Sequence, residues 1–415
     1  MNFEVVDNVF QTVTLLLSAA AAFVLSVMKR SRVLMMLSFG YISFMMGTLF
    51  YVLHIVILGY NPKIFYVSEV SWLAAYLFFF SIALLISEKT KLYLPGAAVA
   101  LLVYAVSFTV KIFGPSHITS TAFAFLVGVS LALRNKKVRC EKQCGGDNDA
   151  RVRTAPDSIV HRVRIHDRLH KLQSLLCRGY RADTVDGVSS SDILSKGERE
   201  MTYIENIYIC IVLPLLLSLF FIRGKSRTTT VFILIGMTVC YLSAYVNSFF
   251  SAFYMTDAVT AAVEISPVCE EIMKLIPLLM YVVILEPKRR DIPAAAIAIS
   301  VGFATFENVC FLTENGAGDF FFLFARGMSA GALHILCGIV FGGGIAYVFG
   351  HDWLMLTGSV GILGMSIVFH ALYNLMITSD GVFRQIGYVF PSVLIVLLFI
   401  LKCVAEKSGF KIKME

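Results

Sequence analysis

The chain has 415 residues, of which 58% are hydrophobic and only 15% charged, with a formal net charge of +7 and a mean hydropathy of +0.78. A soluble domain is nearer half apolar and a quarter charged, so this composition excludes an ordinary soluble globular protein. Lys and Arg gather between long apolar runs, as the positive-inside rule would place them, and they call for no nucleic-acid partner.

Apolar runs of about twenty residues, the length that crosses a bilayer, recur along the chain. Residues 1–134 read as an N-terminal membrane block of about five helices, namely Val9–Met28, Val33–Gly59, Ile64–Ile86, Leu92–Phe113 and Ile118–Leu133. The first run lacks a basic segment before it and is followed by KRSR, which fits a retained helix rather than a cleaved leader. His54 and Glu69 sit in apolar surroundings, where they either line a path or pair with each other. Residues 135–200 form a basic polar loop. Within it, Ile165, Leu169, Leu172 and Leu176 share one helical face among Arg and His. That pattern suits equally a basic amphipathic helix on a membrane surface and a packed soluble helix. The nine cysteines are scattered. Cys140 and Cys144 have no partner at zinc-finger spacing, and no disulfide framework emerges.

Residues 201–415 read as a second membrane domain, with spans at Met201–Ile222, Thr229–Tyr254, Val259–Leu285, Ile292–Leu312, Phe320–Phe349, Trp353–Ile377 and Ile386–Cys403. The expected fold is all-α, a polytopic helical membrane protein of about 12 transmembrane helices, multi-pass in the cell membrane with the lipid bilayer as its solvent. Sidedness carries a conflict. KRSR, SEKTK and RNKKVR put the long loop in the cytoplasm, whereas RGKSR, EPKRR and the C-terminal KSGFKIK demand the opposite parity if Met201–Ile222 crosses once.

An ionisable residue at the centre of a span costs about 2.5–3.5 kcal/mol on the insertion scale and therefore marks a function by default. The second domain holds several. Glu270, Glu271 and Lys274 form EExxK in one span. Phe303, Glu307 and Asn308 form FxxxEN in the next. His334 is central in the third, and His370 and Asn374 form HxxxN in the fourth. Residues four apart share a helix face, so Glu270 can meet Lys274, and His370 can meet Asn374. Helices that alternate in direction put early, late, middle and late positions at one depth. Gly327, Gly331, Gly338 and Gly342 form small-residue rows that let helices approach closely.

Two carboxylates, two imidazoles and a carboxamide are the kit for activating water and stabilising an oxyanion. In this reading Glu270 deprotonates a water, Glu271 or His334 holds it or shuttles its proton, and His370 with Asn374 donates to the oxyanion. Glu307, Asn308, Lys274 and Arg326 support them. No cofactor is required on this reading, although Glu271, Glu307, His334 and His370 are candidate ligands for zinc.

Blander readings compete. The glutamates could form a structural ion pair with Lys274 or Arg326. Ser266 and Pro267 could open a helix and leave both acids in a first turn near water. The histidines and Asn374 could be interhelical glue. Gly327–Gly331 fits GxSxG but sits mid-span, far from the strand–turn–helix setting of a nucleophile elbow. Gly316–Asp319 reads GxGD without a second aspartate motif, and HExxH is missing. Cys269, Cys310 and Cys337 suit apolar packing better than nucleophilic work.

The order EExxK, FxxxEN, a lone His and HxxxN, one per span from Thr229 to Ile377, resembles the PrsW family of intramembrane proteases, grouped with the CAAX prenyl endopeptidases. The resemblance implies a CAAX-protease-like helical bundle in the C-terminal half. It also implies site-1-type cleavage of a membrane-anchored protein substrate, such as an anti-sigma factor. Glu270 takes the catalytic position of that group, and His370 with Asn374 takes the oxyanion position. CAAX endopeptidases carry His where this chain has Glu307. The alternative is a transporter or sensor that uses the same polar stripe for a cation or for protons, against which no matching motifs appear in the first block.

Overall fold

The computed structural model describes residues 3–29, 31–86, 203–315, 319–348 and 352–407. Among them every long element is an α-helix and no strand occurs. The N-terminal block contributes α1 (Phe3–Lys29), α2 (Arg32–Leu58) and α3 (Val67–Ile86). The second block contributes α4 (Tyr203–Ser218), α5 (Gly224–Tyr254), α6 (Ser266–Leu285), α7 (Ile292–Asn315), α8 (Phe320–Val348), α9 (Asp352–Thr378) and α10 (Val382–Lys407). Among the described residues, seven helices are long and apolar enough to cross a membrane. The chain is therefore a multi-pass membrane protein, while the count of about 12 read from the run lengths goes beyond these ten helices. Leu92–Phe113, Ile118–Leu133, the basic loop with its amphipathic face, and Cys140 with Cys144 lie outside the described residues.

Local chemistry sets the helix ends. The Ser31 hydroxyl accepts from the Leu34 N–H and caps α2, which stops where Gly59 turns left-handed at φ 79°. Only glycine enters that region without steric cost. Asp257 opens a short turn, Ala258–Thr260, by accepting from the Thr260 N–H. Hydrogen bonds from the Thr260 backbone and hydroxyl hold this exposed carboxyl below its ordinary range. A π-helical turn, Ala261–Ile265, then leads straight into α6. Such turns shift helix register by one residue and recur at functional sites.

Five helices close a ring. α5 packs on α6 and α7, α8 packs on α7 and α9, and α6 packs on α9. The tightest crossing joins α5 to α7, where Gly236 faces the Ile299 backbone and Gly302 faces the Ile233 backbone. A Cβ at either position would collide with a carbonyl, so backbones touch there as in other small-residue membrane contacts. Gly338 and Gly342 do the same for α8 against Ser300, Ala296 and Pro293 of α7, whereas Gly331 has open space beside it. Outside the ring, α2 and α3 pack on α9, and α10 packs on α8 and α9. Buried side chains from both blocks, among them Phe50, Phe78, Ile299, Ile345 and Val368, merge into one core.

These contacts also order the helix ends. Arg32 lies over the Tyr347 ring near the end of α8, and Gly342 meets Pro293 near the start of α7. His54, near the end of α2, meets Glu264 beside the start of α6. Lys29, Arg32, Lys225, Arg227, Lys288 and Arg290 thus share one end of the bundle. Among the described helices the basic ends therefore agree, while SEKTK and RNKKVR of the sidedness conflict lie outside the described residues.

Candidate active site

α6 carries two adjacent glutamates, Glu270 and Glu271, in a largely apolar helix. Ser266 and Pro267 do not open the helix, because the π turn already runs into it. The acids therefore lie in continuous helix inside the ring, with Glu270 only 8% exposed and Glu271 fully buried.

Each acid has its own surroundings. The Ser266 hydroxyl donates to Glu270 Oε1. Asn247 of α5 in turn donates its amide to the Ser266 Oγ at 3.0 Å. Glu270 Oε2 is buried and has no partner among the described residues, and it lies 3.8 Å from His370 Nε2. Glu271 Oε1 accepts from Lys274 Nζ at 2.6 Å and from His370 Nδ1 at 2.8 Å. Lys274 thus answers Glu271, three residues away, and not Glu270, four away as helical spacing alone suggests.

The histidines complete the centre. Their rings meet edge to face with centroids 5.1 Å apart. His334 Nδ1 lies 2.8 Å from Lys274 Nζ. An ammonium only donates, so Nδ1 accepts, and the proton of His334 sits on Nε2, which donates to Glu307 Oε2. The Arg326 guanidinium bridges Glu307 Oε1 at 3.0 Å and Asn308 Oδ1 at 2.8 Å, lying over the Phe311 ring. Lys274 lies over the Phe303 ring, 4.3 Å from its centroid. Glu307 is the least buried acid of the group, its side chain 29% exposed.

Glu270, Glu271, Lys274, Glu307, Asn308, Arg326, His334 and His370 are therefore one connected cluster drawn from α6, α7, α8 and α9. Asn374 is not part of it. Its amide donates to the Ala262 carbonyl at 2.8 Å and so holds the π turn instead of facing the glutamates. Two residues escaped the sequence reading. Ser266 appears there only as a helix cap, and Asn247 is a lone Asn in a long apolar helix. The one signal available was that an unexplained carboxamide inside a span requires a partner.

The other motifs resolve as structure. Ser329 of GxSxG donates to the Arg326 carbonyl and meets the Tyr373 hydroxyl inside a helix. Asp319 accepts from the Phe321 and Phe322 N–H groups and caps α8. Cys337 is buried in an apolar cluster with Ala330, Leu333 and Tyr373. His54 pairs with Glu264.

A metal ion has a natural seat here. Glu270, His334 and His370 each offer a ligand atom, all within 4.8 Å of one another. One carboxylate and two imidazoles with a position to spare is the donor set of catalytic zinc sites. Glu271 at His370 Nδ1 fixes that ring's tautomer and leaves Nε2 free to ligate, as carboxylates behind metal-binding histidines do. The residues fit the ion, with the unpartnered Glu270 Oε2 as the clearest vacancy in their hydrogen bonding.

The family model described as PrsW family intramembrane metalloprotease matches residues 225–402, from α5 into α10. No curated protein and no solved structure matches the chain. The matched segment supplies every member of the cluster, and the chain is a membrane protease carrying a PrsW-family domain.

Proposed function

We propose that this cluster hydrolyses a peptide bond in a membrane-anchored protein, with Glu270, His334 and His370 holding a divalent cation. The observation that carries the reading is the buried, unpartnered Glu270 Oε2 aimed toward His370 Nε2, with His334 alongside. When bound, such an ion lowers the pKa of a water and polarises the scissile carbonyl. The rest is the work of the chain. Glu271 keeps His370 in the ligating tautomer, and Lys274 balances the charge of Glu271. The Asn247–Ser266 chain fixes one oxygen of Glu270 and leaves the other for the ion.

Proton transfer falls to Glu307. It is the acid with the most access to water, and Arg326 already holds its Oε1. Oε2 takes the proton from the attacking water and returns it to the leaving amine, as expected for two acids in unlike surroundings. The transmembrane setting and the resemblance noted above support a single-span target, such as an anti-sigma factor, in the cell membrane.

The test is metal content with activity. Purified protein should bind about one zinc per chain, the occupancy of a three-ligand catalytic site. Chelation should abolish cleavage and added zinc should restore it. Glu307→Gln should keep the metal and lose cleavage by about 10²-fold or more. Full activity after exhaustive chelation would end the metal reading and return the water's proton to Glu270.

A further inference from the structure

The matched protease segment begins at residue 225, yet one of the best-connected buried acids near α6 is bonded to the N-terminal block. Glu264 lies in the π turn that enters α6 and is fully buried. Its Oε2 accepts from the Lys63 and Ile64 N–H groups at 2.9 and 2.5 Å. Its Oε1 lies 3.1 Å from His54 Nε2. His54 is also fully buried, and its Nδ1 meets the Tyr60 carbonyl at 2.7 Å. A carbonyl only accepts, so Nδ1 carries a proton. The 3.1 Å contact between Nε2 and Glu264 then holds a second proton, carried by one partner or the other. Next to it, the Tyr60 hydroxyl meets Thr260 Oγ1 at 2.8 Å.

The same turn is held from its other side. Asn374 takes the Ala262 carbonyl, and one residue after the turn Ser266 reaches Glu270. The register of the π turn therefore decides where Ser266, and through it Glu270, points. Pairing a buried acid with an imidazole and two backbone donors across chain segments two hundred residues apart is costly unless the position matters.

We infer that His54 and Glu264 are positioning residues of the protease: the α2–α3 loop clamps the π turn so that Glu270 presents its free oxygen to His370. The N-terminal block is then part of the working enzyme. The inference rests on the reaction centre proposed above.

The experiment uses the full chain in detergent or bilayers and compares His54→Ala, Glu264→Ala, Glu264→Gln and Tyr60→Phe with wild type. Hydrogen exchange over residues 258–270 reads the clamp without reference to catalysis, and turnover of a single-span substrate reads its consequence. Loss of protection confined to 258–270 is expected for His54→Ala and Glu264→Ala, with kcat down by about 10- to 100-fold and KM little changed. Glu264→Gln keeps an acceptor for the Lys63 and Ile64 N–H groups and should recover much of the rate. If the alanine variants do not fold, Tyr60→Phe, which removes only the hydroxyl bond to Thr260, should show the same pattern in weaker form. Protection lost with kcat unchanged would reduce the clamp to a structural role, and unchanged protection would remove it. Wild-type cleavage that does not depend on Glu270 would instead overturn the reaction centre itself, and the positioning role with it.

Discussion

At the scale of single residues, the site is settled by which partner each charge takes. Lys274 could have served Glu270 or Glu271, since helical neighbours lie at both three and four residues. It takes Glu271, and this leaves Glu270 with an open oxygen. Lys274→Met should therefore strand a buried carboxylate and destabilise the fold by about 3–5 kcal/mol, with Glu271→Gln/Lys274→Met recovering a large part. Thermal unfolding of the purified variants measures this, and a fully stable Lys274→Met would contradict the pairing. Asn374 offers a second check. Removing an oxyanion donor costs about 10²–10³ in kcat. A carboxamide that only holds the Ala262 carbonyl is worth one ordinary hydrogen bond, so Asn374→Ala should cost about tenfold or less. A loss beyond 10²-fold would restore Asn374 to the reaction.

At the scale of elements, the helices were legible because hydrocarbon fixes their length and composition. The expected spans Ile292–Leu312, Phe320–Phe349 and Trp353–Ile377 match α7, α8 and α9 to within a few residues at each end, about the usual spread of helix boundaries. The polar stripes were legible for the same reason, since a Glu or His in an apolar run stands out. The π turn was not. Val259–Leu285 reads as one uninterrupted helical span, and a one-residue register slip leaves no mark in residue type. The pairing of His54 with Glu264 was equally hidden, because nothing along the chain links positions so far apart. The small residues were half legible. Gly338 and Gly342 do seat α8 on α7, but the closest approach lies at Gly236 and Gly302, which no motif singled out. Gly236→Ala places a methyl against the Ile299 carbonyl and should cost about 1–3 kcal/mol by overpacking. The same change at Gly331, which faces open space, should be near neutral. Equal melting temperatures for the two variants would contradict the α5–α7 crossing.

At the scale of the whole molecule, the described helices form one body in which all the basic ends named above agree. That arrangement predicts a labelling pattern. In a background with native thiols blocked, Lys63→Cys and Asp380→Cys should react with an impermeant reagent from one side of the membrane, and Ser226→Cys and Lys288→Cys from the other. A mixed pattern would break the ring order. Within that order the glutamates, both histidines and Arg326 come from four helices to one centre in the half of the bundle away from the basic ends. One comparison tests this convergence most directly: cleavage of a co-expressed single-span protein by wild type and by Glu270→Gln at matched expression. The account predicts that the carboxamide variant accumulates in the membrane and leaves the substrate intact. Continued cleavage by Glu270→Gln would contradict it.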